Sequence, residues 1–281
     1  EQLRATLKRF HRTVPRGAQT WEIPLHTPDI LAAAHLTKAC VLGYQLTGDS
    51  GFLDEAEYWA WAGVPFVYLV PPTDEPVGAY NTIAVLGATG WKAPVWLGQP
   101  VQWCGLVYAD ALRWLARFRE AGPWMHLADG IAISGVQHTW RSTDAERVGL
   151  LPDYFLLRAQ QGEGPAINPA TVQSQAIQAF GRPPVYDFVT VAPTGLQVHA
   201  AGRITVSAVD SRSVRLVVNG WHEPESWVLV HGCAELPQVR VNGAVVDEVR
   251  FDVESRRLEF PVPEQANVEL RFSGSLQKRS P

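Results

Sequence analysis

The sequence has little charge, no basic block and no long hydrophobic run. Only 19% of its 281 residues are charged, and 24 Lys and Arg against 28 Asp and Glu give a net charge of −4 at pH 7. This balance argues against nucleic acid as the main partner. The longest apolar run, residues 58–70, is short and contains Pro65, whereas a membrane-spanning helix needs about 20 apolar residues. We therefore expect no nucleic-acid partner and no membrane span.

Cysteine is also scarce, and its spacing is typical of no metal or disulfide motif. The three cysteines, Cys40, Cys104 and Cys233, are too scattered for a disulfide framework or a CxxC site. No HExxH or comparable His cluster is present, and the GATG segment at 87–90 lacks the remaining glycine of a dinucleotide fingerprint. The sequence therefore predicts buried free thiols, no metal and no cofactor.

Tryptophan is abundant, and helical patterns accompany it in the first part of the chain. Nine of the 11 tryptophans precede residue 150. Apolar spacing predicts six helices, within residues 1–12, 29–48, 51–63, 101–122, 124–140 and 168–180. Thr27, Pro28 and Asp29 supply a start signal for the second helix. Gly48 is its expected C-cap, and Asp49 or Ser50 is the expected N-cap of the third helix. The short turn between these two helices predicts an antiparallel pair.

The hydrophobic period changes after Pro183 and Pro184. Eight alternating, β-rich runs follow, separated by turn signals. Asn242 and Gly243 indicate a type I′ hairpin, and residues 254–256 a further turn. The sequence therefore predicts a helical domain over 1–183 and an antiparallel β-sandwich over 184–281.

Three segments carry a resemblance to a known superfamily: GYQLTGDSGFLDEAEYW, PVQWCGLVYADALRWL and GLLPDYF. Together with the order of helices and then strands, they resemble the six-hairpin (α/α) toroid glycosidases and polysaccharide lyases. The resemblance implies toroid-type helical hairpins that form only part of the ring, followed by a terminal antiparallel β-sandwich. Such a toroid has about twelve helices, so the chain is expected to be a fragment, a reduced relative or one part of an assembled barrel.

The resemblance also implies a poly- or oligosaccharide substrate, met outside the cytoplasm. The opening segment EQLRATLKRF lacks the apolar region of a signal peptide, so export is inferred from the substrate class alone. Flat aromatic side chains are the expected sugar-binding residues. Trp91, Trp96 and Trp103 lie in or just after the long loop 64–100, and Trp140 lies in the polar segment that contains Asp144 and Asp153.

The first functional hypothesis is a glycoside hydrolase, which needs two carboxyl groups. Asp144 and Asp153 are the candidates, because they lie in a polar loop flanked by aromatics and Asp153 precedes an apolar run that would raise its pKa. Each residue has an ordinary alternative role, Asp144 as the cap of a turn and Asp153 as a loop residue after a proline.

The second hypothesis is a polysaccharide lyase that acts by β-elimination on a uronic-acid polymer. This reaction needs a base near the sugar C5 proton and a group that neutralises the substrate carboxylate; the candidates are Tyr80, Asn81, His138 and Arg141. A third hypothesis, of a different class, is a glycan-binding protein or fragment without catalysis.

Overall fold

The computed structural model describes residues 1–13, 29–85, 96, 98–167 and 170–276. By their internal contacts these residues divide into two compact units, Glu1–Phe180 and Gly181–Pro281. The first unit is mainly helical and the second consists of β-strands. Within the described part of the chain, no helix is both long enough and apolar enough to cross a membrane.

Six helices form most of the described first unit. They are α1 (Gln2–Thr13), α2 (Ile30–Thr47), α3 (Gly51–Gly63), α4 (Gln102–Ala116), α5 (Trp124–His138) and α6 (Ala170–Ala179). A single turn of 3₁₀ helix, Val64–Phe66, follows α3. Two strands, β1 (Leu151–Leu156) and β2 (Gln161–Ile167), lie between α5 and α6 and pair antiparallel.

The pair α2 and α3 forms where the sequence predicts, although Ser50 at the start of α3 makes no side-chain capping hydrogen bond. Asp29 caps α2, since its Oδ1 accepts a hydrogen bond of 2.6 Å from the Ala32 amide. Gly48 ends the helix in the left-handed conformation, with φ +71°, and its amide donates to the Tyr44 carbonyl. Only three residues separate α2 from α3, and the two helices pack against each other, which confirms the predicted pair.

Helix α4 is the centre of the first unit. It is buried on almost all sides and packs against α2, α3, α5, α6 and β1. Burial on almost all sides places a helix inside the core of its unit. Residues 151–167, where the sequence indicates a loop around Asp153, form the β1–β2 ribbon.

The predicted fold class is therefore wrong. A toroid needs a ring of successive helical hairpins, whereas the described helices show no such ring and one of them lies in the middle of the others. The described residues contain six helices and three antiparallel sheets. This combination of helix and sheet replaces the expected toroid followed by a sandwich.

The second unit contains ten strands in its described residues. They are β3 (Asp187–Val191), β4 (Leu196–Ala200), β5 (Gly202–Val209), β6 (Ser213–Gly220), β7 (Ser226–His231), β8 (Gln238–Val241), β9 (Ala244–Val245), β10 (Arg250–Asp252), β11 (Arg257–Val262) and β12 (Gln265–Arg271). One sheet has the order β10-β11-β7-β4-β3 and the other β5-β6-β12-β8-β9. Each of the eight β-rich runs contains a strand, whereas β4 and β9 were not expected.

The alternation of side chains builds the core of this unit. Along β7, Val228 and Val230 are buried while His231 is exposed, and β12 likewise buries Val268 and Leu270. Strands of both sheets contribute to one hydrophobic cluster. Asn242 and Gly243 both have positive φ between β8 and β9, as the predicted type I′ hairpin requires.

Candidate functional site

A tyrosine and a histidine meet at the surface of the first unit. The Tyr80 hydroxyl and the Nε2 atom of His126, on α5, are 2.7 Å apart, and the two rings meet edge to face. Tyr80 is half-buried and His126 is exposed. A hydrogen-bonded pair of a phenol and an imidazole at an accessible position can accept and return a proton.

The backbone of Tyr80 is held in an unusual conformation. Its φ is +57°, a region that residues with a Cβ seldom adopt and that is found where surrounding structure enforces it. The amide of Tyr80 donates to the Tyr68 carbonyl at 2.7 Å. The ring lies over Gly130 of α5, where a Cβ atom would come within 2.5 Å of the Tyr80 Cγ. Glycine at 130 therefore leaves the space that the ring occupies.

A buried glutamine at the start of α4 ties this segment to α5. The Nε2 atom of Gln102 donates to the carbonyl oxygens of Tyr80, at 3.2 Å, and Ile131, at 3.0 Å. Its Oε1 atom accepts from the amide of Thr82 at 2.9 Å and lies 3.3 Å from that residue's hydroxyl. The hydrogen-bonding capacity of this amide is thereby used on three backbone groups and one hydroxyl.

Asn81 and His138 lie beneath the surface. Asn81 is fully buried, and its Oδ1 accepts a 2.7 Å hydrogen bond from Ser134 of α5. His138 lies one turn after Ser134, is 3% exposed and stacks on Phe155 with 4.3 Å between ring centroids. Within the described residues, the Nδ2 atom of Asn81 and the Nε2 atom of His138 have no hydrogen-bond partner.

The lyase candidates are therefore brought together only in part. Tyr80 and Asn81 are adjacent, and Asn81 reaches α5 through Ser134, but the histidine that contacts Tyr80 is His126. Burial lowers the pKa of His138 to about 3, so this side chain is neutral at physiological pH. Arg141 is exposed in the turn that follows α5.

The two hydrolase candidates have separate partners. Both oxygens of Asp144 interact with Arg147, at 2.8 Å from Nε and 3.0 Å from the amide, in an exposed turn. These hydrogen bonds hold the pKa of Asp144 below its ordinary value, which is opposite to what a general acid needs. Asp153, in β1, accepts the indole N–H of Trp96 at 3.0 Å and that of Trp103 at 3.2 Å.

The tryptophans expected to bind sugar have structural partners. Trp96 is buried and lies edge to face with Trp103. The face of Trp140, which is half-buried, is covered by the Arg147 guanidinium at 4.4 Å. Trp91 lies outside the described residues. Sugar stacking at Trp103 and Trp140 stays a prediction.

All three cysteines are buried thiols. Burial is the main reason that the pKa of each thiol is raised. It raises the pKa of Cys40 to about 12 and that of Cys233 to about 11, and it also raises the pKa of Cys104. Across the part of the chain that the structure describes, no three His, Cys, Asp or Glu side chains are grouped as metal ligands.

The sequence interpretation missed three residues of this site: His126, Gln102 and Gly130. The available signal was a polar residue and a glycine four positions apart on one helix, which share a face. That signal is weak, because it does not say which distant residue covers the face. The left-handed conformation of Tyr80 has no sequence signature of its own.

Comparisons with known proteins leave the family open. No family model matches the sequence, and no curated protein matches it. Among solved structures, the chain is similar to a GH127 β-arabinofuranosidase with a TM-score of 0.30 and 11% identity, over 95% of this chain and 54% of that one. The chain thus spans about half the length of that structure. At this TM-score the likeness assigns neither a fold nor a function.

Proposed function

We propose that this chain is a carbohydrate-active protein that cleaves a uronic-acid glycan by β-elimination, with Tyr80 and His126 as the groups that transfer the proton. The observation that carries the chemistry is the 2.7 Å contact between the Tyr80 hydroxyl and the His126 Nε2 atom at an accessible position. The substrate class comes from the sequence resemblance to glycan-cleaving enzymes. The pair supplies what elimination needs, an oxygen base whose own proton has a nearby acceptor.

The reaction balances with these two groups alone. The Tyr80 oxygen takes the C5 proton of the uronic acid while its own hydrogen passes to His126 Nε2. The electron pair of the broken C5–H bond forms the C4=C5 double bond, and the C4–O bond breaks toward the glycosidic oxygen. His126, now an imidazolium, returns a proton to that oxygen, directly or through Tyr80. The products are one unsaturated sugar end and one new reducing end.

The other lyase candidates have different places in this proposal. Asn81 is fully buried and bonded to Ser134, so it supports the segment rather than contacting a substrate. His138 is buried and neutral, which removes it from surface proton transfer. Arg141 is exposed and remains the proposed partner for the substrate carboxylate.

The experiment is a screen of the purified protein against uronic-acid and neutral glycans, in which reducing ends and near-ultraviolet absorbance are followed together. Elimination gives both signals on the uronic-acid polymers and neither on the neutral ones. Tyr80→Phe and His126→Gln should each lower the rate by about 100-fold or more, since general acid and base groups contribute about 10² to 10⁴.

The second unit offers a matched control for these variants. Tyr186 and His199 form another phenol–imidazole pair, with 2.7 Å between Oη and Nδ1, so Tyr186→Phe should leave the elimination rate unchanged. Reducing ends without absorbance would contradict elimination and favour hydrolysis, with Asp144→Asn and Asp153→Asn as the next variants. No signal on any glycan would overturn the catalytic proposal.

A further inference from the structure

We infer that Gln102 is a positioning residue for the Tyr80–His126 pair. The effect of Gln102 on catalysis rests on the proposed function, whereas its structural role is inferred from the hydrogen bonds of one buried amide. Gln102 is 1% exposed, lies at the first turn of α4 and touches neither the Tyr80 hydroxyl nor the His126 ring. It therefore acts on the pair through the backbone.

The amide of Gln102 joins the two parts that carry the pair. Its Nε2 atom donates both to the carbonyl of Tyr80, at 3.2 Å, and to the carbonyl of Ile131, at 3.0 Å. Ile131 lies on α5, five residues after His126. One side chain thus fixes the residue that carries the phenol relative to the helix that carries the imidazole.

The Gln102 side chain also fixes Thr82, two residues after Tyr80. Its Oε1 atom accepts from the amide of Thr82 at 2.9 Å, and the Thr82 carbonyl accepts from the amide of Val101 at 2.8 Å. Gln102 therefore holds the chain on both sides of Asn81, at the Tyr80 carbonyl and at the Thr82 amide.

This double attachment matters because Tyr80 has a φ of +57°. An L-residue relaxes from the left-handed region when its neighbours no longer enforce it. Since the ring fills the space above Gly130, relaxation at Tyr80 moves the hydroxyl away from His126. Loss of the Gln102 amide should therefore break a contact that the side chain itself does not make.

The test is the nuclear magnetic resonance signal of the His126 ring nitrogens and carbon-bound protons at neutral pH. Tyr80→Phe gives the reference for a broken pair. In Gln102→Met the His126 resonances should move from their wild-type positions to those of Tyr80→Phe. The measurement needs no substrate, so it can succeed or fail independently of the elimination assay.

Two control variants separate positioning from general destabilisation. Gln175 is another buried amide of the same unit, bonded to Arg113 and Asp110, so Gln175→Met should keep the wild-type His126 signal. Thr82→Val removes the hydroxyl contact to Gln102 and leaves the donation to Tyr80, and it should also keep that signal.

Unchanged His126 resonances in Gln102→Met would overturn the inference, as would an equal movement in Gln175→Met. If Gln102→Met does not fold, Gln102→Glu serves instead, because it keeps the acceptor for Thr82 and, even when protonated, cannot donate to both carbonyls. Its His126 signal should again match Tyr80→Phe, and a wild-type signal would refute the role. In an active preparation, kcat should fall at least 10-fold in the Gln102 variant, with KM less affected.

Discussion

His138 should make the first unit lose stability in mild acid. The ring is 3% exposed, stacks on Phe155 and carries an Nε2 atom with no partner in the described structure. Burial lowers its pKa from 6.5 to about 3, because a charged imidazole loses its hydration there. Folding therefore favours the neutral ring.

The direction and size of this stability change follow from the linkage between folding and proton binding. Between pH 6.5 and about 3 the unfolded chain binds the His138 proton and the folded chain does not, so the stability is complete above pH 6.5 and is lost as the pH falls. Each pH unit in this window is worth about 1.4 kcal/mol. At pH 5 the expected loss from this residue is about 2 kcal/mol.

The assay is urea unfolding at pH 7.5 and pH 5, followed by tryptophan fluorescence. Nine of the 11 tryptophans precede residue 150, so the signal reports chiefly on the first unit. His138→Gln cannot titrate, and it should reduce the difference in unfolding free energy between the two pH values by about 2 kcal/mol. The exposed His35 of α2 supplies the control, His35→Gln. An equal pH dependence in wild type and His138→Gln would refute the reasoning.

Three further predictions concern packing, a buried carboxylate and the thiols. Gly130→Ala should destabilise the protein by about 1 to 3 kcal/mol in urea unfolding, because the new Cβ would meet the Tyr80 ring. Gly135→Ala is the control and should cost less, because its Cβ would meet only the flexible end of a leucine side chain. Asp187→Asn should cost about 1 to 3 kcal/mol, measured by circular dichroism, since the buried carboxylate accepts the Ile204 amide at 2.9 Å. The three buried thiols should react with a disulfide reagent only in denaturant, and rapid labelling of the native protein would contradict their burial.

The local parts of the fold could be predicted because their signals are local. A cap such as Asp29 and a left-handed glycine such as Gly48 act within one turn of their own helix. The hairpin at Asn242 and Gly243 is similarly fixed by the conformations that those two residues tolerate. Such signals need no knowledge of what packs against them.

The arrangement of the helices could not be predicted in this way. Apolar periodicity gives the face of a helix, not its neighbour, and the all-round burial of α4 leaves even that face undefined. The toroid arrangement was predicted from the resemblance, because the sequence did not show which helices pack together. The structure corrects it, because the six described helices form no ring of hairpins and two strands, β1 and β2, lie between α5 and α6.

The candidate site shows the same division between local and distant causes. Tyr80 was recognised by its residue type, but its partner depended on which histidine of α5 lies beneath the ring. His126 and His138 are both on that helix, about three turns apart; His126 is exposed and His138 is buried. A sequence without packing does not separate these two histidines.

The conformation of Tyr80 is the strongest reason to look for function at this place. A left-handed tyrosine costs about 1 to 2 kcal/mol relative to an ordinary conformation, so it persists only where other contacts offset the cost. Those contacts are the Gln102 amide, the Tyr68 carbonyl and the space above Gly130. These three contacts hold the backbone and ring of Tyr80, whose hydroxyl lies beside the His126 nitrogen. Glycine at 80 would remove this conformational cost, but it would also remove both the ring that packs over Gly130 and the phenol that contacts His126.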